Sequence, residues 1–459
     1  MANTPNPTIT NRIALSDGIG RLGLYLYAFS AWLSPPLHLI GLLMSGVALM
    51  MVPDMVRRIA ATRAAKLWLM IAVYLLLQSF WGNHLLPDSL GTQLRETLRW
   101  LAFGNFLIIG WWLKGNPRII RNVLILAVAG LCIGILHSVD CTALVAFQTG
   151  KQTGFHLTAS TGALLAATVI LGLLLNPPEA IHFSRFKWRN TFRLGVWSAT
   201  IYLMIFLLVA SQSRTTWIAA MITIPLVFHL RKRKTPPSRE NRHAFRPGWI
   251  VLLLMLAGVG LNRQVLLDRI TPDLALVESL PLNKPVESEV PSSLGYRINV
   301  QKFGLEKWRE HPLMGWGTAS TRQLIASAGR PELWHEPTRG WLSHLHNGYL
   351  EILVRFGLLG ASIFFLSVLS LLRRFLQDGA LRALHVNNLS WLLGGALLMT
   401  VIWTGGVFQL TSPTWQAYWT LLMASGFSAS LFPSHPGRTG APPVVDVLKS
   451  AESSDTLNI

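Results

Sequence analysis

Apolar residues in this chain come in runs of roughly 16 to 25, the length that carries a helix across about 30 Å of hydrocarbon. The runs predict twelve membrane helices, over 19–34, 36–53, 66–83, 96–113, 119–139, 157–175, 193–211, 214–230, 248–262, 348–372, 388–408 and 412–431. The polar segments between them are short except for residues 263–347. The pattern therefore predicts an all-α polytopic membrane protein in four parts. Residues 1–262 hold spans one to nine, and 263–347 form a large external loop containing short helices. Residues 348–432 hold spans ten to twelve, and 433–459 form a Pro/Gly/Ser-rich tail expected to be disordered. No period marks a soluble repeat.

Composition agrees with that pattern. Of 459 residues, 51% are hydrophobic and only 13% charged, against about 25% charged in soluble domains. The formal charge of +19 would suggest nucleic acid as partner for a soluble protein. Here the bases cluster in alternate short loops: Arg57, Arg58, Arg63 and Lys66; Lys114, Arg118 and Arg121; Arg185, Lys187, Arg189 and Arg193; Arg231 to Lys234 with Arg239, Arg242 and Arg246; and Arg373, Arg374 and Arg382. The positive-inside rule makes these loops cytoplasmic, together with both termini, and leaves 263–347 outside. That loop carries nearly balanced charge, and long loops translocate regardless. Residues 1–17 lack the pattern of a cleaved signal, so the first span is expected to be a retained insertion signal. Cys132 and Cys141, if on one helix, stand about 13 Å apart along its axis, too far for a disulfide.

The external loop is the one segment large enough to build a polar site. Ile298, Phe303, Leu305 and Trp308 predict an amphipathic helix on the membrane surface, and the proline-rich stretch 271–291 predicts coil. The helix is followed by His311-Pro312-Leu313-Met314-Gly315-Trp316-Gly317. Pro312 stops a helix, and Gly315 and Gly317 allow close backbone approach. By themselves these residues fit a helix stop and a tight turn. His344 and His346 precede span ten in His344-Leu345-His346-Asn347-Gly348-Tyr349-Leu350-Glu351. At i, i+2 they share no helix face, and no third ligand at a recognisable spacing makes a zinc site. His346 at the helix start fits either an interfacial histidine beside an N-cap or a base that takes a hydroxyl proton near an anion-favouring terminus. Arg214, in the turn between spans seven and eight, and Arg297, before the loop helix, fit either a diphosphate clamp or snorkelling to headgroups. The chain has neither a Walker A loop nor a dinucleotide fingerprint, so group transfer would need an activated substrate.

Taken in order, four pieces make the sequence resemble the O-antigen ligase and polymerase superfamily of bacterial inner membranes. They are Ser213-Arg214, Tyr296-Arg297, His-Pro-Leu-x-Gly-x-Gly at 311–317, and His-Asn-x-Tyr-Leu-Glu-x-Leu at 346–353, followed by Phe356-Gly357-Leu358-Leu359-Gly360. The third and fourth are specific together; the first two are weak alone. The resemblance implies a multi-span, metal-independent glycosyltransferase of GT-C-like architecture that uses no nucleotide or other cofactor. The donor would be an O-antigen glycan on undecaprenyl diphosphate, the acceptor lipid A–core oligosaccharide, and the site the periplasmic face of the inner membrane. His346 would be the general base of an inverting transfer, and Arg214 and Arg297 the diphosphate ligands. His344 and Asn347 would orient the acceptor, while His311, Pro312, Gly315 and Gly317 would be structural.

Two groups of alternatives stay open. An O-antigen polymerase or a protein O-oligosaccharyltransferase would use the same donor and similar motifs. The ligase is favoured because no soluble domain follows span twelve, as it does in some protein-glycosylating relatives. A flippase for lipid-linked sugars would also suit twelve spans, but its polar groups belong near the midplane, whereas here they gather in one loop.

Overall fold

In the computed structural model, the described residues are 7–140, 153–178, 188–234, 293–335, 340–341, 344–377, 388–406 and 410–432. They form helices α1 (Pro7–Ser30), α2 (Pro35–Met50), α3 (Pro53–Ala61), α4 (Arg63–Leu85), α5 (Leu90–Leu101), α6 (Phe106–Leu113), α7 (Pro117–Ser138), α8 (Ala159–Leu175), α9 (Trp188–Ala210) and α10 (Arg214–Lys234). After them come α11 (Ser293–Glu310), α12 (Ser320–Ser327), α13 (Gly348–Gln377), α14 (Leu389–Thr404) and α15 (Pro413–Leu431). The predicted ninth span, the coil at 271–291 and the tail lie outside the described residues. The all-helical expectation needs one small amendment. Trp334–His335 and Gly340–Trp341 pair antiparallel, Trp334 opposite Trp341.

Local chemistry sets the helix starts. Prolines open α2, α3, α7 and α15, where a missing N–H costs nothing. Thr62 caps α4 by accepting from Ala65 N, and Ser412 caps α15 by accepting from Trp415 N. Among the described residues, four helices are long and apolar enough to cross a membrane: Arg63–Leu85, Pro117–Ser138, Asn190–Ala210 and Gly348–Ser370. The bent pair α2–α3 would make a fifth. Leu22, Leu43, Leu69, Leu77, Leu136, Met221, Leu366 and Leu369 are all more than half exposed. Such a surface is stable only against lipid or another apolar partner, so this is a helical membrane protein.

Three expectations change. The basic residues Arg57 and Arg58 lie on α3, which turns 99° away from α2, rather than in a loop. The span predicted at 96–113 is not one helix. It divides into α5 and α6 across a 3₁₀ turn at Ala102–Asn105, and Gln93 and Thr97 on α5 are buried. The loop helix α11 buries Phe303 of the predicted apolar stripe together with Val300 but exposes Leu305, so its apolar face is shifted from the one predicted.

Successive long helices run in alternating directions, which gives the bundle two chemically different ends. At one end Gly115 N donates to Ser428 Oγ and Asn388 Nδ2 donates to Leu175 O. This end holds Arg63, Lys66, Lys114 and the Arg231–Lys234 terminus of α10. At the other end Trp32 Nε1 donates to Thr414 O and Trp403 Nε1 to Ser160 O. The loop segment 311–321 packs on that second end, on α4 and α5. Beneath it lies a satellite core of Val300, Phe303, Leu324, Ile325, Leu333, Leu345 and Val354.

Candidate functional site

The site begins with a break in α13. Gly357 has φ +62 and ψ −170, a conformation essentially restricted to glycine. The break interrupts the helical ladder, and the 311–317 segment repairs it. Trp316 N and Gly317 N donate to Val354 O and Arg355 O, both at 2.9 Å. Leu358 N and Leu359 N donate in turn to Pro312 O at 2.8 Å and Leu313 O at 3.1 Å. Gln78 Nε2 donates to Met314 O and Arg355 O, Trp81 Nε1 to Gly315 O, and Tyr74 Oη to Phe356 O. In a membrane-spanning helix such groups must be satisfied by protein, since lipid offers no partner.

This arrangement gives the glycine pattern its reason. Gly315 and Gly317 both have positive φ. A Cβ on Gly315 would lie 2.6 Å from the Arg355 carbonyl, and one on Gly357 would lie 2.2 Å from Leu313 O. Gly357→Ala should destabilise the protein by about 1–3 kcal/mol from backbone strain alone. Thermal unfolding in detergent checks this, and a variant as stable as the parent would contradict the account of the break. His311 stands edge-on to Trp316, ring centroids 4.3 Å apart, and to Trp81, which is a packing role.

Next to the break lies a buried ionic cluster. Arg355 Nη2 stands 2.6 Å from Glu351 Oε1, and Arg355 Nη1 stands 3.0 Å from Glu96 Oε1. Glu96 also accepts from Thr411 Oγ1 at 2.8 Å and pairs with Arg99 at 3.0 Å. Thr318 Oγ1 donates to Gln93 O, and Ala319 N donates to Gln93 Oε1. Ser79, Thr97 and Thr318 continue the polar seam between α4, α5 and the loop.

The two histidines sit where this seam meets the start of α13. Asn347 caps the helix by accepting from Tyr349 N at 3.1 Å and Leu350 N at 3.2 Å. These two amides are therefore committed to the cap and do not face an anion. His346, immediately before the cap, has φ +54. Left-handed backbone in a non-glycine residue marks strain that the surroundings enforce, and such strain clusters at functional positions. Leu345 N donates to Glu351 Oε2 at 3.0 Å, tying the segment to the ionic cluster.

Burial pushes the His344 imidazole below its ordinary pKa of 6.5. The Glu351 and Glu96 carboxylates oppose that shift, and Arg355 and Arg322 add to it. The neutral ring is thus the folded form. An unfolded chain protonates near pH 6.5 and the folded chain at lower pH, so stability present above the unfolded value is lost as pH falls toward the folded one. Thermal stability should drop between about pH 7 and 5, and less so in His344→Gln. Equal drops would remove His344 as the cause.

Arg214 is the first residue of α10, at the end of the bundle that carries the histidines. Thr215 beside it occupies the space a Cβ on Gly406 would need. Tyr349 Oη, in the first turn of α13, donates to Val401 O in the same stretch of chain. The tip of α14 therefore links the start of α10 to the start of α13. Arg297 does not precede the loop helix but lies in the first turns of α11. Its i+3 and i+7 neighbours, Val300 and Gly304, pack toward Leu345, which puts Arg297 on the helix face turned to the histidine segment.

The buried partners Glu96, Arg355, Gln78 and Gln93 are not apparent from the motifs. Glu351 and Arg355 at i, i+4 inside an apolar run were a usable signal, because charges within a membrane span are rare and come paired. Glu96, 255 residues from Glu351 in sequence, carries no such signal.

These features define a class first: a polytopic helical membrane protein whose polar site is built by a loop packed onto the broken end of a transmembrane helix. Residues 199–365 match the family model described as O-antigen ligase. That match supports an O-antigen ligase family assignment and, with it, an enzyme of ligase or polymerase type. The matched stretch holds Arg214, Arg297, the 311–317 segment, both histidines, Glu351, Arg355 and Gly357. No curated protein matches the chain.

Proposed function

We propose that the chain is an O-antigen ligase of the bacterial inner membrane. It transfers O-antigen from undecaprenyl diphosphate to lipid A–core oligosaccharide at the periplasmic face. The observation that carries this reading is the strained His346 on the capped end of α13, inside the stretch matching the O-antigen ligase model. In this reading twelve spans with cytoplasmic termini leave that end outside, since the bases of the short inter-helix loops, such as Lys114 and Arg231 to Lys234, lie at the opposite end.

His346 takes the proton from the acceptor hydroxyl as that oxygen attacks the anomeric carbon. The bond from that carbon to the diphosphate oxygen breaks, and undecaprenyl diphosphate leaves with the electron pair. Attack from the face opposite the leaving group inverts the anomeric centre. Arg214 and Arg297 hold the diphosphate and stabilise the charge that grows on it. His344, neutral at physiological pH, and Asn347 orient the acceptor. The donor already carries its activating diphosphate, so no nucleotide is needed, and in this reading Arg214 and Arg297 take the charge-neutralising role that a metal has in other transferases.

Deleting the gene and separating the lipopolysaccharide on a gel tests the reading. Bare core is the expected product. Core carrying one repeat would make the protein a polymerase, unaltered lipopolysaccharide with loss of a glycoprotein would make it a protein glycosyltransferase, and reconstituted vesicles that only redistribute the donor between leaflets would make it a flippase.

A further inference from the structure

We propose that Arg355, anchored by Glu96, is a positioning residue: it fixes the Glu351 carboxylate that grips the Leu345 amide, and thereby sets where the imidazole of His346 stands. The inference rests on the reading of His346 as the base.

Arg355 is 8% exposed, so it acts through other residues. All three nitrogens of its guanidinium make contacts. Nε donates to Glu351 Oε1 at 2.9 Å and to Thr321 Oγ1 at 3.2 Å. Nη1 donates to Glu96 Oε1 at 3.0 Å and to Thr318 O at 2.9 Å, and Nη2 contacts Glu351 Oε1 at 2.6 Å. One side chain thus ties α5, the loop end at 318–321 and the first turn of α13 together. The other Glu351 oxygen accepts from Leu345 N, one residue before the left-handed His346. Glu96 is itself held by Thr411 and Arg99.

Burying one cation between two carboxylates is a poor way to stabilise a bundle, since apolar residues of similar volume usually do as well. What the cluster supplies is direction. A planar fork with five donors fixes the orientation of each acceptor, and lysine cannot replace it in that role. The backbone of Arg355 is fixed too, because its carbonyl accepts from Gly317 N and Gln78 Nε2. The rigid chain of contacts runs from Glu96 through Arg355 and Glu351 to Leu345 N–H, and ends at the one residue of the 344–347 segment with strained backbone.

Full-length Arg355→Lys and Arg355→Gln, purified in detergent, test the inference. The substrates are a glycan on polyprenyl diphosphate and lipid A–core. Arg355→Lys should unfold closer to wild type than Arg355→Gln does, because it keeps the charge. Its kcat should still fall by about 10²-fold, the effect of a misplaced catalytic group, with KM for the donor within about threefold of wild type. Recovery of kcat together with stability would reduce Arg355 to charge balance and overturn the proposal. A raised KM at unchanged kcat would make it a substrate ligand and overturn it as well.

Amide exchange of residues 344–350 is read independently of turnover. It should quicken by about tenfold in Arg355→Lys, and unchanged protection would overturn the proposal. Wild-type protein inactive on these substrates would sink the glycan-transfer reading instead, leaving amide exchange to decide whether Arg355 holds the segment. If the Arg355 variants do not accumulate, the near-isosteric Glu96→Gln carries the same measurements.

Discussion

His346→Ala lowers glycan transfer per folded molecule by about 10² to 10⁴-fold, the usual contribution of a general base. The acceptor hydroxyl is a weak nucleophile at neutral pH, and no other ring nitrogen precedes the cap of α13 in the same strained position. The backbone itself needs a control, because alanine tolerates φ +54 less readily than asparagine does. His346→Asn keeps a side chain suited to left-handed backbone and offers no basic nitrogen, so its loss should match that of alanine. Transfer is measured in detergent with purified donor and acceptor and normalised to monodisperse protein. Near-normal turnover in both variants would end the assignment of His346 as base. A loss confined to alanine would show that the backbone, rather than the imidazole, is what matters.

Arg355→Met destabilises the fold by about 3–5 kcal/mol, the usual result of removing one partner from a buried ion pair. Glu351 is 1% exposed, and methionine leaves both its carboxylate and that of Glu96 without their shared cation. The effect should be largely relieved by adding Glu96→Gln and Glu351→Gln, since neutral amides tolerate burial when hydrogen-bonded. Unfolding of the three proteins in detergent reads the difference. If Arg355→Met alone were as stable as its parent, water or lipid headgroups would have to reach the cluster, and the picture of a sealed ionic seam would fail. This stability result is separable from the kcat effect argued for Arg355→Lys, which keeps the charge and alters only the fork.

Legibility in the sequence divides along physical lines. Long apolar runs must be helices in lipid, because only intrasegment hydrogen bonds satisfy their backbone there. The helices near 66–83, 119–139, 157–175, 193–211 and 412–431 were therefore readable to within a few residues. The glycines of 311–317 signalled a close backbone approach but not its target. The target is the gap in α13 at Gly357, which appears only when two segments forty residues apart exchange four backbone hydrogen bonds. The apolar face of α11 was read in part: Phe303 and Trp308 do pack into the satellite core, but so does Val300, while Leu305 turns outward, because the protein segments that cover the helix come from elsewhere in the chain.

Hydropathy alone was enough to make this a helical membrane protein and to mark the loop residues worth suspecting, since it acts along the chain over a few residues at a time. Tertiary structure alone decided that α5 and α6 divide, that the loop mends a broken helix, and that Glu96 joins Glu351 around Arg355. Those outcomes depend on satisfying buried donors, acceptors and charges between segments far apart in sequence, and no local pattern records which distant group will do so.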